Sequence, residues 1–111
     1  MSVEALWSVS FQSNFGMRGD GIVVFESGRV LGGDSVMIYT GHYKIHGEVS
    51  AEVHVRRYAA NPGLTSVVGL EDYNLRVSGK YHEQQMTLIG AVVEDRNRQI
   101  SLQLVRRAEL P

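Results

Sequence analysis

"GEVSAEVHVRRY", Gly47 to Tyr58, decides the fold. Val49, Ala51, Val53 and Val55 share one parity; Glu48, Ser50, Glu52, His54 and Arg56 take the other. Successive side chains of a strand point to opposite faces, so a period of two marks a strand with one face buried and one in water. The pattern recurs on both sides. "LWSVSFQ" sets Trp7, Val9 and Phe11 against Ser8 and Ser10. "RQISLQLVRR" sets Ile100, Leu102 and Leu104 inward and Gln99, Ser101 and Gln103 outward. "GIVVF", "RVLGG", "SVMIYTGHY", "YNLRVSG" and "QQMTLIGAVV" complete the set, and no segment sustains a helical period.

Turn signals fall between these runs at hairpin spacing: "NFGMRGDG", "ESG", "GGD", "KIHG", "SGKYHE" and "EDRNR". Gly28 supplies the positive φ that a tight hairpin needs. One connection is longer. "AANPGLTSVVGLED", Ala59 to Asp72, carries a strong turn at Asn61-Pro62-Gly63, then "LTSVVGL". That stretch reads either as one helical turn plugging a barrel end or as plain loop, and loops this long are usually functional. About eight short antiparallel strands with one apolar face each must bury that face together. A closed up-and-down barrel does so and leaves no edge; a two-sheet sandwich is the alternative. The expected fold is all-β, a single small up-and-down barrel of about eight strands over residues 1–111. In it Gly32, Gly33, Gly41 and Gly90 are bulges or kinks where strands bend.

The 111 residues fit one domain with a real core. With no Cys there is no disulfide framework, thiolate metal site or thiol nucleophile, which suits a reducing compartment. A net charge of -1 drives the chain toward neither nucleic acid nor an anionic membrane. "MSVEALWSVSFQ" lacks the basic and apolar regions of a signal peptide, and no apolar run approaches the roughly 20 residues that span a bilayer. A cytoplasmic protein is expected.

The chemistry-bearing residues mostly read as structure. "GMRGDG" and "GGDSVMIYTG" are glycine-rich, but a phosphate cradle must open a helix and these open strands. His42, His46, His54 and His82 lack diagnostic metal spacing and read as surface or hairpin-tip residues, so no metal or cofactor is expected. No serine sits in a nucleophile elbow, and Glu71-Asp72 are adjacent in a loop rather than opposed as an acid–base pair. An enzyme is not expected. Arg56-Arg57 and Arg106-Arg107 alternate across strand faces, so each pair should give one arginine to a carboxylate near a barrel end rather than a basic patch. "QQMTLIGAVVED" is apolar on both faces, with Met86, Leu88 and Val92 opposed to Ile89, Ala91 and Val93. A strand of that kind is covered on both sides. With no helix to cover the outside, Ile89, Ala91 and Val93 are the expected homodimer contact.

Three stretches carry a family resemblance: "GxGIVxxxxGxxxGGD" (Gly19, Gly21, Gly28, Gly32, Gly33, Asp34), "Y-x-G" (Tyr39, Gly41) and "VHVxRY" (His54, Val55, Arg57, Tyr58). The chain resembles the GrlR-like negative regulators associated with bacterial type III secretion. The resemblance implies a small lipocalin-like antiparallel barrel, often dimeric. It also implies action by binding a transcriptional activator rather than by touching DNA. In the family an acidic run before the "HVxRY" strand is tied to activator binding. Here that loop reads "KIHGEVS", with only Glu48 and then Glu52 acidic.

Two functions are thus expected, neither of them chemical. The first is a regulatory module that binds a protein partner through the tip His42, Tyr43, Lys44, Ile45, His46, Gly47 and Glu48, since loops on a rigid scaffold usually carry contacts. The second is a carrier or sensor of a small apolar ligand inside the barrel. Trp7, Phe11, Tyr39 and Val53 are its expected liners. "GGD" reads as a bending device, with Asp34 satisfying the backbone of its turn.

Overall fold

A computed structural model describes residues 2–111. Eight antiparallel strands form a closed up-and-down barrel: β1 (Ala5–Ser13), β2 (Arg18–Glu26), β3 (Arg29–Gly33), β4 (Met37–His46), β5 (Glu48–Arg57), β6 (Asp72–Gly79), β7 (Gln85–Val92) and β8 (Gln99–Ala108). Each strand pairs with the next, and β8 returns to β1 through a register running from Leu6↔Ala108 to Ser13↔Ile100. The ring therefore exposes no edge, and the sandwich alternative is discarded.

The alternating residues fall where the period places them. Val49, Ala51 and Val55 of β5 are buried, while Glu48, Ser50 and Glu52 are exposed. Trp7, Phe25, Met86, Leu88, Val49 and Val92 form the innermost core. Each such aliphatic or aromatic side chain contributes about 1.5–3 kcal/mol by leaving water. The Trp7 indole donates to Val3 O at 2.9 Å, and the Arg106 guanidinium lies 5.2 Å from its ring centroid.

Glycine lets neighbouring strands approach closely. A Cβ at Gly32 would lie 2.0 Å from Ile22 O, and one at Gly41 would lie 2.1 Å from Glu52 O. Neighbouring backbones approach so closely there that only hydrogen fits. The ladders nevertheless run unbroken through Gly32, Gly33, Gly41 and Gly90. These glycines are not bulges; the register shift in the β1–β8 pair falls between Leu6 and Trp7 instead. The β2–β3 turn is Ser27-Gly28, with φ of 50° and 79°, the two positive values of a tight primed hairpin.

The barrel has two unlike ends. The tip end carries Ser27-Gly28, the β4–β5 hairpin tip, residues 80–84, the start of β1 and the end of β8. The loop end carries turns 14–17, 34–36 and 93–98 and the long connection 58–71. "LTSVVGL" forms no helix, yet Ser66, Val67 and Val68 are buried, so the connection plugs the loop end as irregular backbone. Arg57 organises it, donating to Ala59 O at 2.9 Å, Leu64 O at 2.9 Å and Asn61 O at 2.6 Å. From the other side Arg98 donates to Val68 O at 2.5 Å and pairs with Asp95 at 3.1 Å.

Candidate functional site: a cavity inside the barrel

The barrel is not filled. A cavity of about 200 Å³ lies between the core and the plug, reaching the loop end. Its walls are apolar: Phe11, Phe25, Val53, Val55, Leu75 and Leu88 are among them. Gly19 and Gly21 sit inward on β2, where the Phe11 ring and the Tyr39 side chain occupy the space a Cβ would take. Phe11 and Tyr39 meet edge to face, centroids 6.4 Å apart. Leu64, Thr65, Ser66 and Val67 of the plug form the roof.

Three of the four expected liners are therefore in place: Phe11, Tyr39 and Val53. Trp7 is not among them. It is wholly buried toward the tip end, packed on Phe25 at 6.4 Å between centroids and capped by Arg106. The parity of Trp7 correctly gives its face but not its height along the barrel axis, and height separates liner from floor.

A polar cluster sits at the loop end of this apolar space. The Asp34 carboxylate accepts from Val36 N at 2.8 Å and Met37 N at 2.7 Å through Oδ1, as expected for its turn. Its other oxygen, Oδ2, accepts from the Tyr39 hydroxyl. Tyr39, Val55 and Tyr73 lie side by side on β4, β5 and β6, which brings both phenols to this end. Burial, then the bond to Asp34 and its charge, push the Tyr39 hydroxyl far above the ordinary tyrosine range. Burial pushes Tyr73 up to about 12, with Ser66 pulling it down and the Asp34 charge pushing it up. Both phenols are thus held protonated. Asp34, Tyr73, Ser66 and the plug residues were not anticipated as site residues. The parity of "DYNLRVSG" does place Tyr73 inward, but only closure of the ring sets it beside Tyr39.

The β4–β5 tip stands at the opposite end. His42, Lys44, Ile45, His46, Gly47 and Glu48 are exposed. Tyr43 is half-buried and packs on Phe25 at 5.0 Å between centroids, so it belongs more to the barrel than to the tip surface. Of the remaining sequence features, Ile89 is 63% exposed on the outer face of β7 as its parity requires, Ala91 is half-buried, and Val93 is exposed just past the end of the strand. His54 points outward and bonds Asp72 at 2.6 Å. Arg57 pairs with Glu71 at 3.6 Å and Arg106 with Glu109 at 2.8 Å, one arginine of each doublet.

Among the described residues no three His, Cys, Asp or Glu side chains are grouped as a metal would need, and no helix is long and apolar enough to cross a membrane. Compared with protein-family models and with curated proteins, the chain gives no match.

Proposed function

We propose that the protein is a non-enzymatic carrier or sensor that binds a small apolar molecule inside its barrel. The observation that carries this reading is the 200 Å³ cavity walled by aliphatic and aromatic side chains. An engineered cavity of roughly 150 Å³ with similar walls stays dry and takes benzene. This volume therefore suits one aromatic ring with a short chain, or a branched aliphatic molecule of that size. The compartment it would serve is the cytoplasm, in keeping with the absence of cysteine.

Native mass spectrometry of the chain recovered gently from its own host tests the reading. A small-mass adduct that is lost in a cavity-filling variant supports it. A chain that stays bare from its host and also takes up none of a panel of small apolar compounds refutes it.

A second reading rests on the tip. Ile45 is 41% exposed at the end of a projecting hairpin, flanked by exposed Lys44 and His46. A protein partner, such as the transcriptional activator that the GrlR-like resemblance implies, would be held there. Replacing Lys44, Ile45 and His46 together by Ala should abolish partner capture and leave the melting temperature within a few degrees. Unchanged capture would remove the tip from the site.

A further inference from the structure

The cavity has a chemical polarity, and it selects among apolar ligands. At its deep end every wall is hydrocarbon. At its loop end it meets the Asp34 carboxylate and the hydroxyls of Tyr39, Tyr73 and Ser66. We propose that the ligand carries a hydrogen-bond-donating head, an alcohol, phenol or amine, seated against Asp34 and Tyr39, and that the site rejects carboxylic acids of the same shape. The inference rests on the carrier reading above and specifies the class of molecule carried.

The argument is one of donors, acceptors and charge. Asp34 can only accept. Its Oδ1 is used by two amides and its Oδ2 holds the Tyr39 proton. Tyr39 has thereby committed its only proton, and what its oxygen still offers a ligand is lone pairs. A ligand hydroxyl or amine can donate to those lone pairs. A carboxylate has no proton to give and would place a second negative charge beside the half-buried Asp34 carboxylate, where like charges repel.

The other charged groups near the mouth do not reverse this. Asp20 points outward and accepts from Ser10 Oγ at 2.8 Å. Arg18, the cation of the lining, is exposed on the outward parity of β2, alternating with inward Gly19 and Gly21. An ion pair made there, in water, contributes little. Tyr73 keeps a proton that could serve an acceptor. Ser66 keeps one as well, its Oγ accepting from Leu70 N at 3.0 Å. A carboxylate would take these protons more strongly than a hydroxyl, so the rejection rests on the Asp34 charge, which a neutral hydroxyl does not oppose.

The test uses three probes of one shape: propylbenzene, para-propylphenol and para-propylbenzoate, titrated calorimetrically into the full chain at pH 7. Propylbenzene and para-propylphenol should bind, the phenol more tightly. The benzoate should bind at least about tenfold more weakly than the phenol, a difference of about 1.4 kcal/mol. The Asp34→Asn variant gives the second arm. Its amide oxygen can still accept from Val36 N and Met37 N. Its amide nitrogen can donate to the Tyr39 oxygen and release the phenolic proton toward the cavity. The phenol-to-benzoate preference should then shrink several-fold or invert, with the melting temperature showing that the barrel stays folded.

Equal affinity of the folded wild-type protein for phenol and benzoate would overturn the inference while leaving the carrier reading intact. A preference unchanged in Asp34→Asn would remove Asp34 as its source. Failure of all three probes, propylbenzene included, would overturn the inference, and with a chain recovered bare from its host it would overturn the carrier reading as well.

Discussion

Filling the cavity should stabilise the protein, and the sign of that effect separates a hollow barrel from a packed one. Val53 is the position to use. It sits inward on β5 opposite Gly41, lines the cavity and is less completely buried than its inward neighbours Ala51 and Val55. Val53→Phe adds roughly four carbons, which at ~0.8 kcal/mol for each buried CH₂ gives an upper bound of about 3 kcal/mol. Ordering the ring costs up to about 1 kcal/mol. A net gain of about 1–2 kcal/mol remains, and phenylalanine suits a strand as well as valine does. In a barrel already packed to density the same change would cost about 1–3 kcal/mol through displaced neighbours. Urea unfolding followed by circular dichroism reads the difference. With a slope of about 2 kcal/mol/M, the midpoint should rise by about 0.5–1 M. Binding of propylbenzene should fall at least tenfold in the same variant. A midpoint that drops, with propylbenzene binding retained, would refute the reasoning.

Other predictions address the cavity's polar end and the outer face. Tyr73 titrates near 12 in the folded protein, against about 10 for a free tyrosine, and Tyr39 is shifted further in the same direction. The folded state thus holds these protons more tightly than the unfolded state. Their contribution is fully present below pH 10 and is lost as the pH rises above it, through about 12 for Tyr73 and further still for Tyr39. The urea midpoint should accordingly be flat from pH 7 to 9 and fall steeply above 10, with two of the five tyrosines ionising only on unfolding. Asp34→Ala removes the acceptor for two turn amides and the partner of a buried hydroxyl, and should cost about 2–4 kcal/mol in the same unfolding assay. Asp34→Asn should cost clearly less. Ile89→Lys tests the outer face: if Ile89, Ala91 and Val93 hold a homodimer, sedimentation velocity should show dimer in the wild type and monomer in the variant, whereas an unchanged sedimentation coefficient would remove this face from any interface.

Much of the barrel was legible in the sequence because its determinants are local. A period of two in β1, β5 and β8 fixes which side chains go in, and Gly28, Gly47 and the Asp34 turn fix where the chain reverses. Eight strands with one apolar face each leave closure as the economical answer. The site was legible only in part. Parity puts Trp7, Phe11 and Val53 on inward faces and leaves the inward face of the Tyr39 strand open; in the structure all four point inward. Whether an inward residue lines a void or fills the floor depends on its height along the axis. That height follows from strand tilt and from the shear of the closed ring, which no single strand records. Trp7 was misplaced for this reason. The Asp34–Tyr39–Tyr73 cluster was missed because its members lie on three separate elements, and Asp34 already had a sufficient role in its turn. The plug reads from sequence as either helix or loop because Val67 and Val68 are apolar without periodicity. Their burial is set by Arg57 and Arg98 gripping carbonyls across the loop, a contact between distant positions in the chain.

The central claim is that an apolar molecule binds within the barrel and not on its surface. Methyl-labelled NMR during a titration with propylbenzene tests it most directly. The account predicts saturable shifts in Val53, Val55, Leu75 and Leu88, whose side chains face the cavity, with Ile45 at the tip and Ile89 on the outer wall unmoved. Shifts confined to Ile45 or Ile89, or none at all, would contradict it.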